Sequence, residues 1–235
     1  MLTANSFKHV RSLDLGVVKK SSNPEAYLEE QLTILEIFAQ RQTLTRLWLS
    51  RFPFHSTESS KMMKIRDIVT AFGSTVSDLG LYECKFTSYT DMISLARAFP
   101  HCGSLYIRDC VTDEITSGNV FSGLPEHKLS LDVLELTCAS SNRLTIDVST
   151  LIEDGCLDVS RLSALTCDVI SAGQARSVAK STSASPIRHF QLACTEPGGF
   201  QGMYGNRMLN YLIHRTKFSR LPFKRFSALS RKNGP

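Results

Sequence analysis

A short pattern of apolar and polar positions recurs seven times along the chain. The pattern is apolar-x-x-apolar-x-apolar, and its copies begin at Val10, Leu44, Val76, Cys102, Leu131, Leu162 and Ile187. Successive copies are separated by 34, 32, 26, 29, 31 and 25 residues, so the period is irregular but bounded. An internal repeat of this length indicates one structural unit that is stacked on copies of itself.

Each copy ends in the alternation that is typical of a strand with one buried and one solvated face. In the second copy, Leu47 and Leu49 would lie on the buried face, and Trp48 would lie between them on the other. Apolar residues at helical spacing predict helices between the copies, over residues 24–40, 63–72 and 88–99. The order along the chain is therefore strand, helix, strand, helix.

A strand and helix of about 20 to 30 residues cannot bury an apolar face alone, so such units are stable only when stacked. We therefore predict an α/β fold: a leucine-rich-repeat-like open solenoid, or horseshoe, with parallel strands on the concave face and helices on the convex face. Residues 1–216 would form about seven repeats with a C-terminal cap helix over 203–215, and residues 217–235 a flexible basic tail.

A doubly wound α/β domain is the alternative, because it also alternates strands and helices. Its strands would be continuous aliphatic runs, since helices cover both faces of the sheet. The strands here carry charges in alternation, at Asp14, Arg46, Asp78, Arg108, Glu135 and Arg188. No glycine-rich turn follows the first strand, so the pattern favours the solenoid.

Two copies match the consensus of a known class of repeat over more positions. The copies at Val76 and Cys102 continue to Cys84 and Cys110, as in the leucine-rich-repeat consensus L-x-x-L-x-L-x-x-N/C. The segments LTRLWLSRFPF, VSDLGLYECKFTSYTDMISLARAFPHCGSLYIRDC and LPEHKLSLDVLELTC resemble the repeat region of the F-box and leucine-rich-repeat-like family of mushroom-forming fungi. The resemblance covers roughly residues 10–195.

This resemblance implies that two parts of a family member bind two different proteins. An N-terminal F-box would bind a Skp-type adaptor of a cullin ubiquitin ligase, and the repeats would hold the substrate. The first repeat begins at Val10, which leaves no room for an F-box before it. A Skp-type adaptor is therefore expected as a partner only if an F-box lies upstream in a longer chain.

Composition and cysteine usage are those of a folded protein in a reducing compartment. Apolar residues make up 42% of the chain and charged residues 21%, which is ordinary for a globular domain. Lys8, Arg11 and Asp14 lie where a signal peptide would need an apolar run, so we expect a cytoplasmic or nuclear location. The seven cysteines are odd in number and lack a C-x-x-C pair, which favours buried thiols over a disulfide framework or zinc site.

Motifs for catalysis are missing from the sequence. It contains no G-x-x-x-x-G-K-[ST] loop, no H-E-x-x-H helix and no G-x-S-x-G elbow. Its six histidines have no close partner at metal-ligand spacing, and a flexible loop is the favoured interpretation of the glycines at 199, 202 and 205. We therefore expect a protein without enzymatic activity, bound metal or cofactor.

The outward positions of the predicted strands form two rows that would face a ligand. The central row is Asp14, Trp48, Gly80, Tyr106, Glu135, Thr166 and Gln191, and the next is Gly16, Ser50, Tyr82, Arg108, Thr137, Asp168 and Ala193. Trp, Tyr and Arg dominate the hot spots of protein interfaces. The partner-binding candidates are Arg46, Trp48, Tyr82, Tyr106, Arg108 and Glu135. The alternative is that these are ordinary exposed residues that a neighbouring loop covers.

The charge of the chain is concentrated at its C-terminal end. Residues 197–235 contain eight basic residues and no acidic one, whereas the first 196 carry 19 basic and 22 acidic residues. Lys217, Arg220, Lys224 and Arg225 lie among phenylalanines, a composition suited to nucleic acid or an anionic surface. A cap helix followed by a solvated tail is the other interpretation.

Two hypotheses of function follow. The first is a non-enzymatic protein-binding repeat module, the substrate-recognition part of an F-box-type ubiquitin ligase receptor. The second is nucleic-acid or anionic-surface binding through the basic tail. Salt separates them, because a tail that binds phosphates loses affinity steeply as the salt concentration rises.

Overall fold

The computed structural model describes residues 9–17, 24–54, 59–112, 128–138, 148–169 and 172–194. The fold class is α/β, with mostly parallel strands, as predicted. The chain divides into two compact units, Met1–Leu129 and Ser130–Pro235. The predicted cap helix over 203–215 and the predicted boundary at residue 217 lie outside the described residues.

The first unit alternates strands with helices. Its elements are β1 (Ser12–Gly16), α1 (Pro24–Ala39), β2 (Arg46–Ser50), β3 (Pro53–Phe54), α2 (Ser59–Thr70), β4 (Asp78–Tyr82), β5 (Lys85–Phe86), α3 (Tyr89–Arg97), β6 (Ser104–Arg108) and β7 (Val111–Thr112). The long strands pair in parallel in the order β1, β2, β4, β6, which is their order along the chain.

The registers of these strands align the apolar positions of the repeat. Leu13 pairs with Leu47, Leu47 with Leu79 and Leu79 with Leu105, so one row of leucines crosses all four strands. Leu47 and Leu79 have no exposed surface. The copies that begin at Val10, Leu44, Val76 and Cys102 therefore form the strands that the pattern predicted. The predicted apolar residues are buried in the last three of these copies, whereas Val10 and Leu13 of the first are half-buried.

A repeated hydrogen-bond junction precedes each strand and fixes the register. The carbonyl of Thr45 accepts from the amides of Ser77 (2.8 Å) and Asp78 (3.1 Å), and the carbonyl of Ser77 accepts from Gly103 (2.8 Å) and Ser104 (3.0 Å). The hydroxyl of Ser77 also donates to the Thr45 carbonyl at 3.1 Å. Backbone groups that would otherwise be buried without partners are thus satisfied from one repeat to the next.

A left-handed residue follows each of three strands and redirects the chain into a second, short sheet. Arg51, Glu83 and Asp109 have φ values of 62°, 50° and 53°, a conformation that costs a non-glycine residue about 1–2 kcal/mol. Behind these residues β3, β5 and β7 pair in parallel. Phe54 and Phe86 stack there with ring centroids 4.8 Å apart and an interplanar angle of 6°.

Cysteine thiols make a second set of hydrogen bonds between repeats, at the C-terminal ends of the strands. Cys84 Sγ donates to the carbonyl of Leu49 at 3.3 Å, and Cys110 Sγ donates to the carbonyl of Leu81 at 3.4 Å. Each thiol therefore reaches back to the strand of the preceding repeat. A small, weakly polar side chain suits this position, because it fills buried space and still offers a donor.

The three predicted helices are present, and their ends differ from the prediction by up to four residues. The prediction of 63–72 begins four residues after the observed Ser59 and ends two after Thr70. In α3 the hydroxyl of the N-cap residue Ser88 accepts from the amide of Asp91 at 3.2 Å, which satisfies one free amide of the first turn. Helix α2 is joined to α1 by Lys64, whose amine lies 3.4 Å from Glu29 and 3.5 Å from Glu36.

The second unit also alternates strands with helices. Its elements, from the boundary onward, are β8 (Leu129–Ser130), β9 (Val133–Thr137), α4 (Val148–Glu153), β10 (Leu157–Asp158), β11 (Ala164–Val169), α5 (Ala172–Ser181) and β12 (His189–Cys194). Strands β9, β11 and β12 pair in parallel, with Leu134 opposite Leu165 and Leu165 opposite Phe190. The last three copies of the pattern are thus also strands.

Candidate functional site

Five of the six predicted partner-binding residues lie on the outward positions of β2, β4 and β6 in the first unit. Trp48 occupies the centre of β2, opposite Gly80, and Gly80 in turn lies opposite Tyr106. Ser50 pairs with Tyr82 and Tyr82 with Arg108 in the next row. Adjacent strands lie about 4.8 Å apart, so the register brings these residues into one neighbourhood, as the sequence predicted.

The three aromatic rings of these strands touch and form what we call the ring cluster: Trp48, Tyr82 and Tyr106. The centroid of the Trp48 ring lies 5.4 Å from that of Tyr82 and 6.0 Å from that of Tyr106, with interplanar angles of 43° and 50°. These distances fall in the range favoured for aromatic pairs. All three side chains are half-buried, so the cluster is a continuous surface with an exposed side.

Gly80 makes room for the ring cluster. A Cβ atom added at this residue would lie 2.9 Å from Cδ1 of Trp48 and 2.8 Å from Cε2 of Tyr82. The indole therefore lies across the bare backbone of β4, where any larger residue would displace it. The sequence pattern predicts only that Gly80 lies in the central row, and it indicates no role for this residue. A glycine between a tryptophan and a tyrosine in that row was the available signal.

Two arginines stack against the ring cluster at its ends. The guanidinium carbon of Arg46 lies 5.8 Å from the centroid of the Trp48 ring, and that of Arg108 lies 5.4 Å from the centroid of Tyr82. Both distances are within the range of cation–π attraction, which is worth about 0.5–1 kcal/mol at exposed sites. Both arginine side chains are exposed. The cluster therefore presents apolar area with positive charge at its ends.

The indole nitrogen of the ring cluster has an unmet hydrogen-bonding capacity. The Nε1–H group of Trp48 is buried, and no acceptor for it is found within the part of the chain that the structure describes. A buried donor without a partner costs about 1–3 kcal/mol. An acceptor brought by a bound partner would recover this free energy if the indole turned toward it.

Acidic residues lie beside the ring cluster. Asp14 is exposed and lies opposite Trp48 on β1. Asp78 is half-buried and lies opposite Arg46, and its carboxylate accepts from the hydroxyl of Ser77 at 2.8 Å. The charge on this face is therefore patterned, with cations stacked on the rings and anions next to them.

The sixth predicted residue, Glu135, lies on β9 of the second unit, where it is half-buried. Its row continues through Thr166 and Gln191, which are its partners in register. Asp168 was predicted to face a ligand, and this prediction is wrong because its side chain is buried. Its carboxylate accepts from the backbone amide of Cys138, so it satisfies a backbone group of the neighbouring strand end.

Two thiols of the first unit, those of Cys102 and Cys110, have a raised pKa and stay protonated. Burial raises the pKa of Cys102 from 9.0 to about 11. A hydrogen bond with Cys84, together with burial, raises the pKa of Cys110 well above its usual range. A thiol is nucleophilic only as the thiolate, so these two groups are poorly reactive and their role is packing.

Other predicted features concern metals, membranes and the tail. In the described ranges, no group of three or more His, Cys, Asp or Glu side chains is arranged to hold a metal ion. None of the helices described is long and apolar enough to cross a bilayer. The basic-tail residues Lys217, Arg220, Lys224 and Arg225 lie outside the described residues.

Comparison with protein-family models, with curated proteins and with solved structures gave no significant match. The resemblance to the F-box and leucine-rich-repeat-like family therefore stays a prediction, and the geometry of the ring cluster has to be interpreted by itself.

Proposed function

We propose that this protein is a non-enzymatic protein-binding repeat module that holds its partner on the ring cluster. One observation carries the proposal: three touching, half-exposed aromatic rings lie on the outward face of parallel strands, with Arg46 and Arg108 stacked against them. Aromatic and arginine side chains are enriched among the residues that contribute most of the free energy of protein interfaces. Aromatic rings bury large area with few rotatable bonds, and the guanidinium offers several donors in a planar, permanently charged group.

The repeat architecture supports a leucine-rich-repeat-like solenoid as the scaffold. Within each unit the long parallel strands are neighbours in their order along the chain. A doubly wound domain reverses its strand order at a switch point, and neither unit does so. In a solenoid the outward rows of such strands form an extended binding surface, which is where the ring cluster lies.

Covering the ring cluster with a partner would also lower the free energy. Its apolar area is half-exposed, and the Trp48 indole N–H finds no acceptor among the described residues. Covering the rings with a partner would remove apolar surface from water, at about 25 cal/mol per Å². The chain's single tryptophan also lies in this cluster, and tryptophan is enriched among the hot spots of interfaces.

The family resemblance extends the proposal to a substrate-recognition role in an F-box-type ubiquitin ligase receptor. The ring cluster would then hold the substrate, and a Skp-type adaptor would bind an F-box elsewhere in the full gene product. Reading the genomic sequence upstream of Met1 for an in-frame F-box tests this extension. Co-purification of a Skp-type adaptor with the resulting protein is the matching biochemical result.

Substitution of the rings tests the binding surface directly. We expect Trp48→Ala and Tyr106→Ala each to weaken partner binding by about 2 kcal/mol, while circular dichroism shows an unchanged fold. Partners are captured from lysate of the source cell with each variant as bait, and the captured partner's affinity is then measured by calorimetry. Met63→Ala is the matched control, because Met63 on α2 is a large apolar side chain that is 60% exposed.

Two results would contradict the proposal. If capture is equal for Trp48→Ala, Met63→Ala and the wild type, the ring cluster is not the binding surface. If Trp48→Ala or Tyr106→Ala unfolds at a much lower temperature than the wild type, the side chain is a core residue and its role is structural.

A second candidate function is suggested by the charge of the C-terminal segment. Residues 197–235 carry eight basic residues and no acidic one. Binding of nucleic acid through Lys217, Arg220, Lys224 and Arg225 predicts that removal of residues 217–235 abolishes retention on heparin and on DNA cellulose. It also predicts a steep loss of affinity with salt, because bound cations are released from the phosphates.

A further inference from the structure

The charges at the ring cluster have a spatial order that restricts the partner. Arg46 is the first residue of β2 and Arg108 the last of β6, so the two cations stand at diagonally opposite corners of the cluster. Both are exposed, and both lie against a ring. Stacking limits the conformations of each guanidinium, so part of the entropy lost on binding is already lost in the free protein.

The anions of this face lie elsewhere around the rings. Asp14 is opposite Trp48 on the β1 side, and Asp78 is opposite Arg46 on β4. Asp78 is half-buried and its carboxylate already accepts from Ser77, so Asp14 is the more accessible of the two. A ligand that covers the rings therefore meets positive charge at two corners, and negative charge beside the corner that Arg46 occupies.

Resting on the proposed function, we propose that the partner docks an acidic segment of protein on the ring cluster. An aromatic or aliphatic side chain of that segment covers the three rings, and carboxylates on either side of it pair with Arg46 and Arg108. A guanidinium binds a carboxylate through two parallel hydrogen bonds. A carbonyl of the same segment accepts from the Trp48 indole once the ring has turned to expose its Nε1–H group.

The ordered charge favours a protein segment over single-stranded nucleic acid, which also stacks on aromatic rings. A nucleic-acid strand carries a negative charge at every phosphate. Such a strand could not cross the rings without bringing phosphates close to Asp14 and Asp78. A protein segment can place one carboxylate at each arginine and keep the rest of the stretch beside Asp14 and Asp78 uncharged.

Selection of peptides against the full chain tests this inference. Random dodecapeptides displayed on phage are selected on the immobilised wild type after depletion on Trp48→Ala, so that only binders of the ring cluster remain. Selected peptides are synthesised and titrated while the emission of Trp48 is followed; this is the chain's single tryptophan, so the signal reports the site. Oligothymidylate is titrated in the same way.

We expect the selected peptides to be enriched in Asp and Glu on both sides of an aromatic or aliphatic residue. Their affinity should fall about tenfold in Arg46→Gln and in Arg108→Gln, the equivalent of about 1.4 kcal/mol. Arg161→Gln is the matched control, because Arg161 is an exposed arginine of the second unit that pairs with Asp132 at 3.0 Å. It should leave the affinity within about twofold, since exposed pairs contribute little.

Several outcomes would overturn the acidic-segment inference, and they separate it from the proposed function. Trp48-dependent peptides without acidic enrichment, or enriched in Lys and Arg, leave the protein-binding proposal standing and remove the inference. Tighter binding of oligothymidylate than of any peptide assigns the ring cluster to nucleic acid and overturns both. If no peptide depends on Trp48, the inference is also wrong, and the capture experiment then decides the proposed function alone.

Discussion

The two units bury apolar residues at the same positions of their strands, and they differ in the residues on the outward faces of those strands. Leucines occupy the same register positions in both, for example Leu79 in β4 and Leu165 in β11, and both side chains are fully buried. At the outward central positions the first unit has Asp14, Trp48, Gly80 and Tyr106, and the second has the polar Glu135, Thr166 and Gln191.

This difference shows which positions the fold constrains and which it leaves free. Buried positions must be apolar and of the right volume in every repeat, because packing is dense and neighbouring repeats share one core. Outward positions meet no such demand. The concentration of aromatic residues at the outward positions of one unit is therefore a property that packing does not explain, and it is the reason that the proposed binding surface lies on that unit.

The largest effect is expected where the two units are alike. Leu79→Ala and Leu165→Ala should each lower the free energy of unfolding by about 3 kcal/mol, because each removes a fully buried side chain and leaves a cavity. Urea denaturation followed by circular dichroism measures both. Thr166→Ala, at an outward position, should change it by less than about 0.5 kcal/mol. A leucine variant as mild as Thr166→Ala would show that its unit lacks a packed core.

Two glycine substitutions distinguish a glycine that the neighbouring backbone requires, Gly73, from one that makes room for the ring cluster, Gly80. A Cβ atom at Gly73 would lie 2.1 Å from the carbonyl oxygen of Ala98, so Gly73→Ala should cost about 2 kcal/mol of stability. At Gly80 the three atoms nearest to the added one belong to the side chains of Trp48 and Tyr82, and none of them to the backbone. Gly80→Ala should therefore cost less stability and instead shift the emission of Trp48 and weaken partner binding.

The fluorescence spectrum and the urea midpoint of each glycine variant test these two predictions. An unchanged Trp48 spectrum in Gly80→Ala would mean that the indole does not rest on β4. Equal stability of Gly73→Ala and the wild type would mean that the turn after α2 can move away from Ala98.

The smallest effect concerns the buried thiols of the first unit. The pKa of Cys102 is about 11 in the folded chain and is ordinarily 9.0, so between these values the folded state keeps a proton that the unfolded state loses. Stability is therefore complete below pH 9 and falls as the pH rises toward 11. The expected loss from this group is on the order of 1 kcal/mol.

Cys102→Ala is the variant that isolates this thiol. Its free energy of unfolding should fall less steeply than that of the wild type between pH 9 and pH 11. Parallel curves would show that the thiol titrates alike in both states and that burial of Cys102 does not govern its proton.

Several elements could be predicted from the sequence because their signals are local. The alternation in each copy of the repeat predicted all seven long strands, and helical spacing predicted α1, α2 and α3. The end of α2 toward the N-terminus was missed by four residues, because Ser59 and its neighbours are polar and add nothing to an apolar pattern. Asp168 was misplaced, because alternation gives the side of a strand and takes no account of a backbone amide that needs an acceptor.

The sequence by itself determined the period of the repeat, the positions of its strands and the apolar residues that they bury. These depend on the spacing of neighbouring residues, which the chain carries in one dimension. The tertiary structure alone decided that Trp48, Tyr82 and Tyr106 touch, that Gly80 makes room for the indole and that Arg46 and Arg108 stack on the rings. Those contacts depend on rotamers and on the register between strands far apart in the chain, which only the packed repeats fix.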